Sequence, residues 1–203
     1  MLNFIISTAK KAGEYIVKND SNSLVIEHKG RIDLVTDKDK NSQEIIIKEI
    51  KKNFPKHSII AEEGINIKGN EDFVWYIDPI DGTTNFVHGV PIFCVSLAVY
   101  YKNEPIAGVC YNPVNKETFC AEKGKGAYCN DQRIQVSLTK NLVDALIATG
   151  FPYQSANLRF IVDKFFKVVS SAQGVRRLGS AALDLCYVAC GRFDAFWEME
   201  LKP

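Results

Sequence analysis

Residues 73–77, Phe73-Val74-Trp75-Tyr76-Ile77, are apolar, aromatic and β-favouring, and they run directly into Asp78-Pro79-Ile80-Asp81-Gly82-Thr83-Thr84. The first half reads as a buried strand. Pro79 fixes its own φ, so a tight turn is expected there. Such a turn would carry Asp78 and Asp81 to one side, with the Ile80 carbonyl between them. That is a set of hard oxygen donors suited to Mg²⁺. Gly82 lets the backbone approach a ligand, and Thr83 and Thr84 add hydroxyls and N–H groups. A helix starting here would turn its N-terminus toward a phosphate. Asp-Pro and Asp-Gly are also ordinary turn dipeptides, so on this stretch alone a plain turn and a binding site are equally open. A plain hairpin turn, however, needs neither a second aspartate, nor paired threonines, nor a fully apolar strand leading in.

The flanking chain extends the pattern. Apolar residues at helical spacing predict an amphipathic helix over residues 2–17 and a second over residues 36–54, stopped by Pro55. A short strand is expected at 24–26, followed by a polar, mobile segment, Glu27-His28-Lys29-Gly30-Arg31. Asp33, Asp37 and Asp39 surround the start of the second helix. Capping and dipole complementation explain them more readily than a metal site on spacing alone. Residues 58–61 form a short strand ending in Glu62-Glu63-Gly64, which repeats the arrangement at Asp78 and makes Glu62 a candidate third carboxylate. Residues 93–101, 105–111 and 117–122 read as three antiparallel strands, and Gly124, Gly126 and Asn130-Asp131 as a further hairpin. From about residue 140 strand and helix alternate: strand 145–149, helix 156–171, helix 179–190, strand 193–197. The expected division is therefore residues 1–140, two helices and an antiparallel sheet carrying the carboxylates, and residues 141–203, the start of an α/β layer.

Composition narrows the function classes. The 203 residues carry 25 basic and 24 acidic side chains, net +1, so no basic field favours nucleic acid or a membrane surface. No apolar run approaches the roughly 20 residues of a membrane span. The N-terminus lacks a basic leader and a small-residue cleavage site, and the six cysteines contain no C-x-x-C pair. Reduced, structural thiols and a cytoplasmic location are the expectation. His28, His57 and His88 sit in no phosphatase nucleophile motif and read as surface or structural residues.

Taken together, Asp78-Pro79-Ile80-Asp81-Gly82-Thr83-Thr84-Asn85-Phe86, Ile60-Ala61-Glu62-Glu63-Gly64, Asp33-Leu34-Val35-Thr36-Asp37-Lys38-Asp39, Gly124-Lys125-Gly126-Ala127-Tyr128, Thr149-Gly150-Phe151-Pro152 and Gly179-Ser180-Ala181-Ala182-Leu183-Asp184-Leu185 resemble the landmarks of the inositol monophosphatase family. These are Mg²⁺-dependent, lithium-sensitive phosphatases of small sugar and polyol phosphates. The resemblance implies an α/β fold, a layered αβαβα sandwich of the sugar phosphatase type. It implies Glu62, Asp78, Asp81 and the Ile80 carbonyl as Mg²⁺ ligands. Asp39 and Thr83 would orient and activate the attacking water, which reverses the capping interpretation of Asp39. Gly82, Thr83 and Thr84 would hold the phosphate, and Lys29 lies in the loop that the family closes over a further Mg²⁺. Ser180, Ala181 and Glu198 would contact the hydroxyl-bearing part of the substrate, with Asp184 nearby. A homodimer and a small phosphate ester as the substrate are implied, the ester being inositol monophosphate ahead of fructose 1,6-bisphosphate, histidinol phosphate or a nucleotide 3′-phosphate. A non-catalytic regulatory protein on the same fold is the alternative from another class.

The resemblance also implies a second signature, Trp-Asp after a Lys-Pro pair, whose aspartate binds metal. The sequence stops at Lys202-Pro203. The expectation is a chain truncated before that signature, with the C-terminal layer incomplete.

Overall fold

The computed structural model describes residues 1–18, 24–28, 34–152 and 158–201. They fall into two units, Met1–Arg133 and Ile134–Pro203, where the onset of strand–helix alternation predicts a division near residue 140.

The first unit contains α1 (Leu2–Val17), β1 (Ile26–His28), β2 (Leu34–Thr36), α2 (Asp37–Asn53), β3 (His57–Ala61), β4 (Asn66–Ile67), β5 (Asn70–Asp81), α3 (Thr83–Val87), β6 (Cys94–Tyr101), β7 (Glu104–Asn112), β8 (Glu117–Glu122), β9 (Gly126–Cys129) and β10 (Gln132–Arg133). Strands β3 to β10 make an eight-stranded sheet in the order β10-β9-β8-β7-β6-β5-β3-β4. All its neighbours pair antiparallel except β3 and β5, which are parallel. The α1 stripe Ile5, Ala9, Ala12 and Ile16 and the α2 stripe Ile46 and Ile50 are buried in one core with Ile59, Trp75, Ile77, Val95, Leu97, Val99 and Val109 of the sheet. Each of the larger aliphatic chains contributes about 1.5–3 kcal/mol by leaving water. That burial, more than helix propensity, holds α1 and α2 on the sheet.

Two expectations change in this unit. Glu27 and His28, read as a polar mobile segment, belong to β1, which pairs antiparallel with β2 through Ile26↔Thr36, Glu27↔Val35 and His28↔Leu34. Backbone pairing overrides side-chain polarity there, and Lys29 lies outside the described residues. Pro79 does not turn the chain. Its φ is compatible with extended backbone, and β5 runs on through Asp81. The reversal comes at Gly82, whose φ of 100° needs the left-handed region that glycine enters without penalty.

His57 is half-buried and has a polar partner. Its ring stacks on Phe73 with centroids 4.4 Å apart and on Phe54 at 5.0 Å. Its Nδ1 accepts a 3.0 Å hydrogen bond from the fully buried Trp75 Nε1–H.

The second unit opens with a short 3₁₀ turn, Leu142–Asp144, then β11 (Leu146–Thr149), α4 (Leu158–Val169), β12 (Gly174–Arg176), α5 (Ala181–Ala189) and β13 (Ala195–Trp197). Its three strands are parallel, in the order β12-β11-β13. The alternating α/β character expected from residue 141 is present, with β12 added. No described helix of either unit is long and apolar enough to cross a membrane.

Candidate active site

The acidic residues of the first unit are gathered by the parallel pair. The β3–β5 register ends at Ala61↔Ile77, and Glu62 N–H still bonds the Ile77 carbonyl at 3.0 Å. Glu62 follows the last residue of β3 and Asp78 is the next residue of β5, so they lie side by side, and their side chains are hydrogen-bonded to each other. The Glu62 turn is held further by Gln43 of α2, whose Oε1 accepts from Glu63 N–H at 3.2 Å.

Asp81 joins them through a β-bulge. Opposite β6, Asp78 pairs with Ser96 and Asp81 with Cys94. Three steps along β5 therefore match two along β6. Ser96 and Cys94, two apart, point to the same face, so their partners Asp78 and Asp81 do too, which a regular strand forbids for residues three apart. The expected convergence of the two carboxylates is thus achieved by an extra residue rather than by a turn. Asp78 Oδ1 accepts the Ile80 N–H at 3.1 Å, which fixes the bulge from inside.

Asp39 arrives from α2. Thr36 is the N-cap, and a full capping box forms: the Asp39 N–H donates to Thr36 Oγ1 at 3.3 Å while Thr36 N–H donates to Asp39 Oδ2 at 2.8 Å. The Thr36 hydroxyl also reaches Asp39 Oδ2, at 2.5 Å. Asp39 Oδ1 accepts from Thr83 Oγ1 at 3.1 Å, and that hydroxyl lies 3.0 Å from the Ile80 carbonyl. Capping and site geometry are both properties of Asp39, so the two interpretations of this residue are compatible.

The electrostatics follow from crowding. Asp39 has no solvent exposure, and burial pushes its carboxyl above the ordinary range, against the lowering effect of its bonds from Thr36 and Thr83. Asp78 is held well above the ordinary range by burial first, then by the charges of Glu62 and Asp81. Among the described residues, no three Asp, Glu, His or Cys side chains are grouped closely enough to form a metal cage by themselves. The donors themselves, three carboxylates and a carbonyl, are the oxygen set that Mg²⁺ takes, and their mutual repulsion is what a divalent cation relieves. Gly82, Thr83 and Thr84 follow at once, with Thr83 opening α3.

The second unit carries the other expected residues, all past the C-terminal ends of its parallel strands, the edge at which open α/β sheets bind ligands. Ser180 is the buried N-cap of α5 and accepts from Leu183 N–H at 3.4 Å; Ala181 is the first helical residue and Asp184 is buried in the first turn. The Thr149↔Trp197 rung places Gly150 beside Glu198. The Glu198 carboxyl lies against the Gly150 backbone, in the space a Cβ would fill. Burial raises the Glu198 carboxyl above its ordinary range, and Arg177 partly offsets this. Gly150 stood among the sequence landmarks without a role. Its partner is 48 residues away, so no local signal exposes the contact, whereas the Thr-x-x-Asp spacing of Thr36 and Asp39 is a visible capping-box pattern.

A parallel strand pair that brings Glu62 and Asp78 together, bulged so that Asp81 joins, beside the Asp39–Thr83 pair, gathers the kind of oxygen donors that metal-assisted hydrolysis uses. The chain belongs to the inositol monophosphatase family, whose family model matches residues 1–203. It is 44% identical over 210 residues to the protein named Nus factor SuhB of Pseudomonas aeruginosa, spanning 100% of this chain and 78% of that one. The crystal structure of extragenic suppressor protein suhB from Bartonella henselae superposes with a TM-score of 0.95 at 41% identity, over 98% of this chain and 78% of that one. A structure titled IMPase/NADP phosphatase complexed with Mg²⁺ and phosphate matches with a TM-score of 0.77 at 32% identity, over 89% of this chain and 68% of that one. The chain is therefore a mixed α/β phosphatase of this family.

Proposed function

We propose that the protein hydrolyses a small phosphate monoester, with inositol monophosphate as the first candidate, by attack of a water molecule rather than through a phosphoenzyme. The observation that carries this reading is the Asp39–Thr83–Ile80 hydrogen-bond chain beside the Glu62–Asp78 pair and Asp81. Glu62, Asp78, Asp81 and the Ile80 carbonyl are the residues we assign to Mg²⁺, which supplies charge neutralisation at the phosphate and a lowered pKa for bound water. The Thr83 oxygen accepts a hydrogen bond from the water while its own O–H donates to Asp39 Oδ1, so that Thr83 orients the nucleophile and, as it takes the water's proton, hands its own to Asp39. The backbone N–H groups of Gly82, Thr83 and Thr84 bind the phosphate oxygens. Ser180, Ala181 and Glu198 bind the hydroxyls of the leaving polyol, and burial of the Glu198 carboxyl strengthens its discrimination between hydroxyl-bearing and plain esters. We extend the reading to a cytoplasmic homodimer.

The test is phosphate release from inositol 1-phosphate, fructose 1,6-bisphosphate, histidinol phosphate and a nucleotide 3′-phosphate, with Mg²⁺ and with Li⁺ added. Mg²⁺-dependent, Li⁺-inhibited turnover of the inositol ester above the others supports the proposal. A preference for another ester replaces the substrate and keeps the chemistry. Absence of turnover on all four removes the catalytic reading. It would favour the second one, a binding protein on this fold, to which the name Nus factor of the Pseudomonas relative lends support.

A further inference from the structure

We propose that Thr36 is a positioning residue for the Asp39–Thr83 pair, a role that rests on the reading of that pair given above. In an ordinary capping box the N3 side chain spends one oxygen on the N-cap backbone and leaves the other to solvent. Here neither oxygen meets solvent: Thr36 is 1% exposed and Asp39 0%. The two oxygens are divided between two threonines. Oδ2 takes both Thr36 donors, the N–H at 2.8 Å and the hydroxyl at 2.5 Å, and Oδ1 takes the Thr83 hydroxyl at 3.1 Å.

The division has a mechanical consequence. A carboxylate on a free χ2 rotor exchanges its two oxygens readily, since that torsion is broad and roughly two-fold. With Oδ2 tied to both donors of a rigid helix cap, rotation would break two bonds at side chains closed off from bulk solvent. Oδ1 is therefore held facing the Thr83 hydroxyl, whose other acceptor is the Ile80 carbonyl at 3.0 Å. Thr36 touches no reacting atom. It acts through Asp39, and it couples the start of α2 to the start of α3 across 44 residues of chain between Asp39 and Thr83.

Capping alone would also make Thr36 matter, through stability, so the experiment must separate the two. Thr36→Val keeps the volume and removes the hydroxyl; Thr36→Ser keeps the hydroxyl. Ile50→Val, a fully buried change in the same helix, loosens α2 without touching the site. On the full chain with the preferred ester, Thr36→Val is expected to lower kcat about 10- to 100-fold, with substrate KM and Mg²⁺ requirement within about 3-fold of the parent. Thr36→Ser is expected to restore most of kcat, and Ile50→Val to lower the melting temperature while kcat stays within about 2-fold. A Thr36→Val kcat no lower than that of Ile50→Val, or a Thr36→Ser kcat as low as that of Thr36→Val, overturns the proposal. A readout independent of turnover is the melting-temperature cycle of Thr36→Val, Thr83→Val and the double variant. Coupling through Asp39 makes the double loss smaller than the sum of the single losses by about 2 °C; strict additivity overturns the proposal even if the protein hydrolyses nothing. Lack of turnover in the parent, by contrast, counts against the proposed function alone.

Discussion

The Thr83 hydroxyl stands 3.1 Å from Asp39 Oδ1 and 3.0 Å from the Ile80 carbonyl oxygen. It owns one proton and faces two acceptors. Whatever engages the Ile80 carbonyl leaves that proton to Asp39 and fixes the direction of the Thr83 lone pairs. Thr83→Val, which keeps the volume and deletes the proton, is expected to reduce kcat by about 10²- to 10⁴-fold, the range of a general acid–base contribution. Circular dichroism should match the parent. Phosphate release at saturating Mg²⁺ measures the effect, and a loss confined to KM would remove Thr83 from the chemistry.

Glu62 and Asp78 make opposite demands on stability and on metal. Asp78→Asn keeps a hydrogen-bond partner for Glu62 and an acceptor for Ile80 N–H while deleting a carboxyl whose charge is disfavoured there. In EDTA at neutral pH the variant is expected to be about 1 kcal/mol more stable than the parent, a rise of about 2–4 °C in melting temperature. Added Mg²⁺ should then raise the parent's melting temperature and leave the variant's almost unmoved. Thermal scans with and without Mg²⁺ decide this; a variant that melts lower than the parent in EDTA contradicts the electrostatic account of the cluster.

Gly150 leaves no room for a side chain beneath Glu198. Gly150→Ala must push the Glu198 carboxyl away, because the new Cβ would occupy its place. The expected result is a rise in KM of about 10-fold or more for a polyol phosphate, with little change for a phosphate ester that lacks hydroxyls. Glu198→Gln should show the same selectivity. Equal losses on both kinds of ester would point to a general defect of the second unit instead.

His57 makes stability depend on pH. Burial holds its imidazole below the ordinary value of 6.5, so between the folded and unfolded values the unfolded chain binds the extra proton. Stability therefore rises with pH through this window and is lost as pH falls below about 6.5 toward the folded value. Protonation also turns Nδ1 from acceptor to donor against the Trp75 N–H. Against His57→Phe, the parent should lose relative stability on acidification from pH 7 to 5, with a parallel change in Trp75 fluorescence. Parallel pH curves for the two proteins would exclude the effect.

Elements with a strong period could be read directly from the residues. The stripe of α1 was visible as Ile5, Ala9, Gly13 and Ile16, and the helix runs over Leu2–Val17 as expected. The antiparallel strands announced themselves through β-favouring runs between turn residues. What escaped were features set by partners. Nothing in Glu27-His28 signals a strand until Val35 and Leu34 pair with them. Three-residue β12, with a glycine, gives no period at all. Pro79 was misjudged because a fixed φ suits extended chain as well as a turn. At the site, residue types disclosed the chemistry, while the convergence of Asp39, Glu62, Asp78 and Asp81 depended on a parallel register, a bulge and a helix cap, none of which spacing alone determines.

The bulge at Asp78 and Asp81 turns residue number into handedness of presentation. Pairing both intervening residues in a regular ladder would send Asp81 to the opposite face of the sheet, whereas deleting one of them would leave Asp78 and Asp81 two apart and on the same face. Pro79 guards against that regular pairing, since it has no N–H to offer the ladder. Side-chain substitutions around this stretch are graded in effect. A change of register is all-or-none, and the chain could suffer it without unfolding.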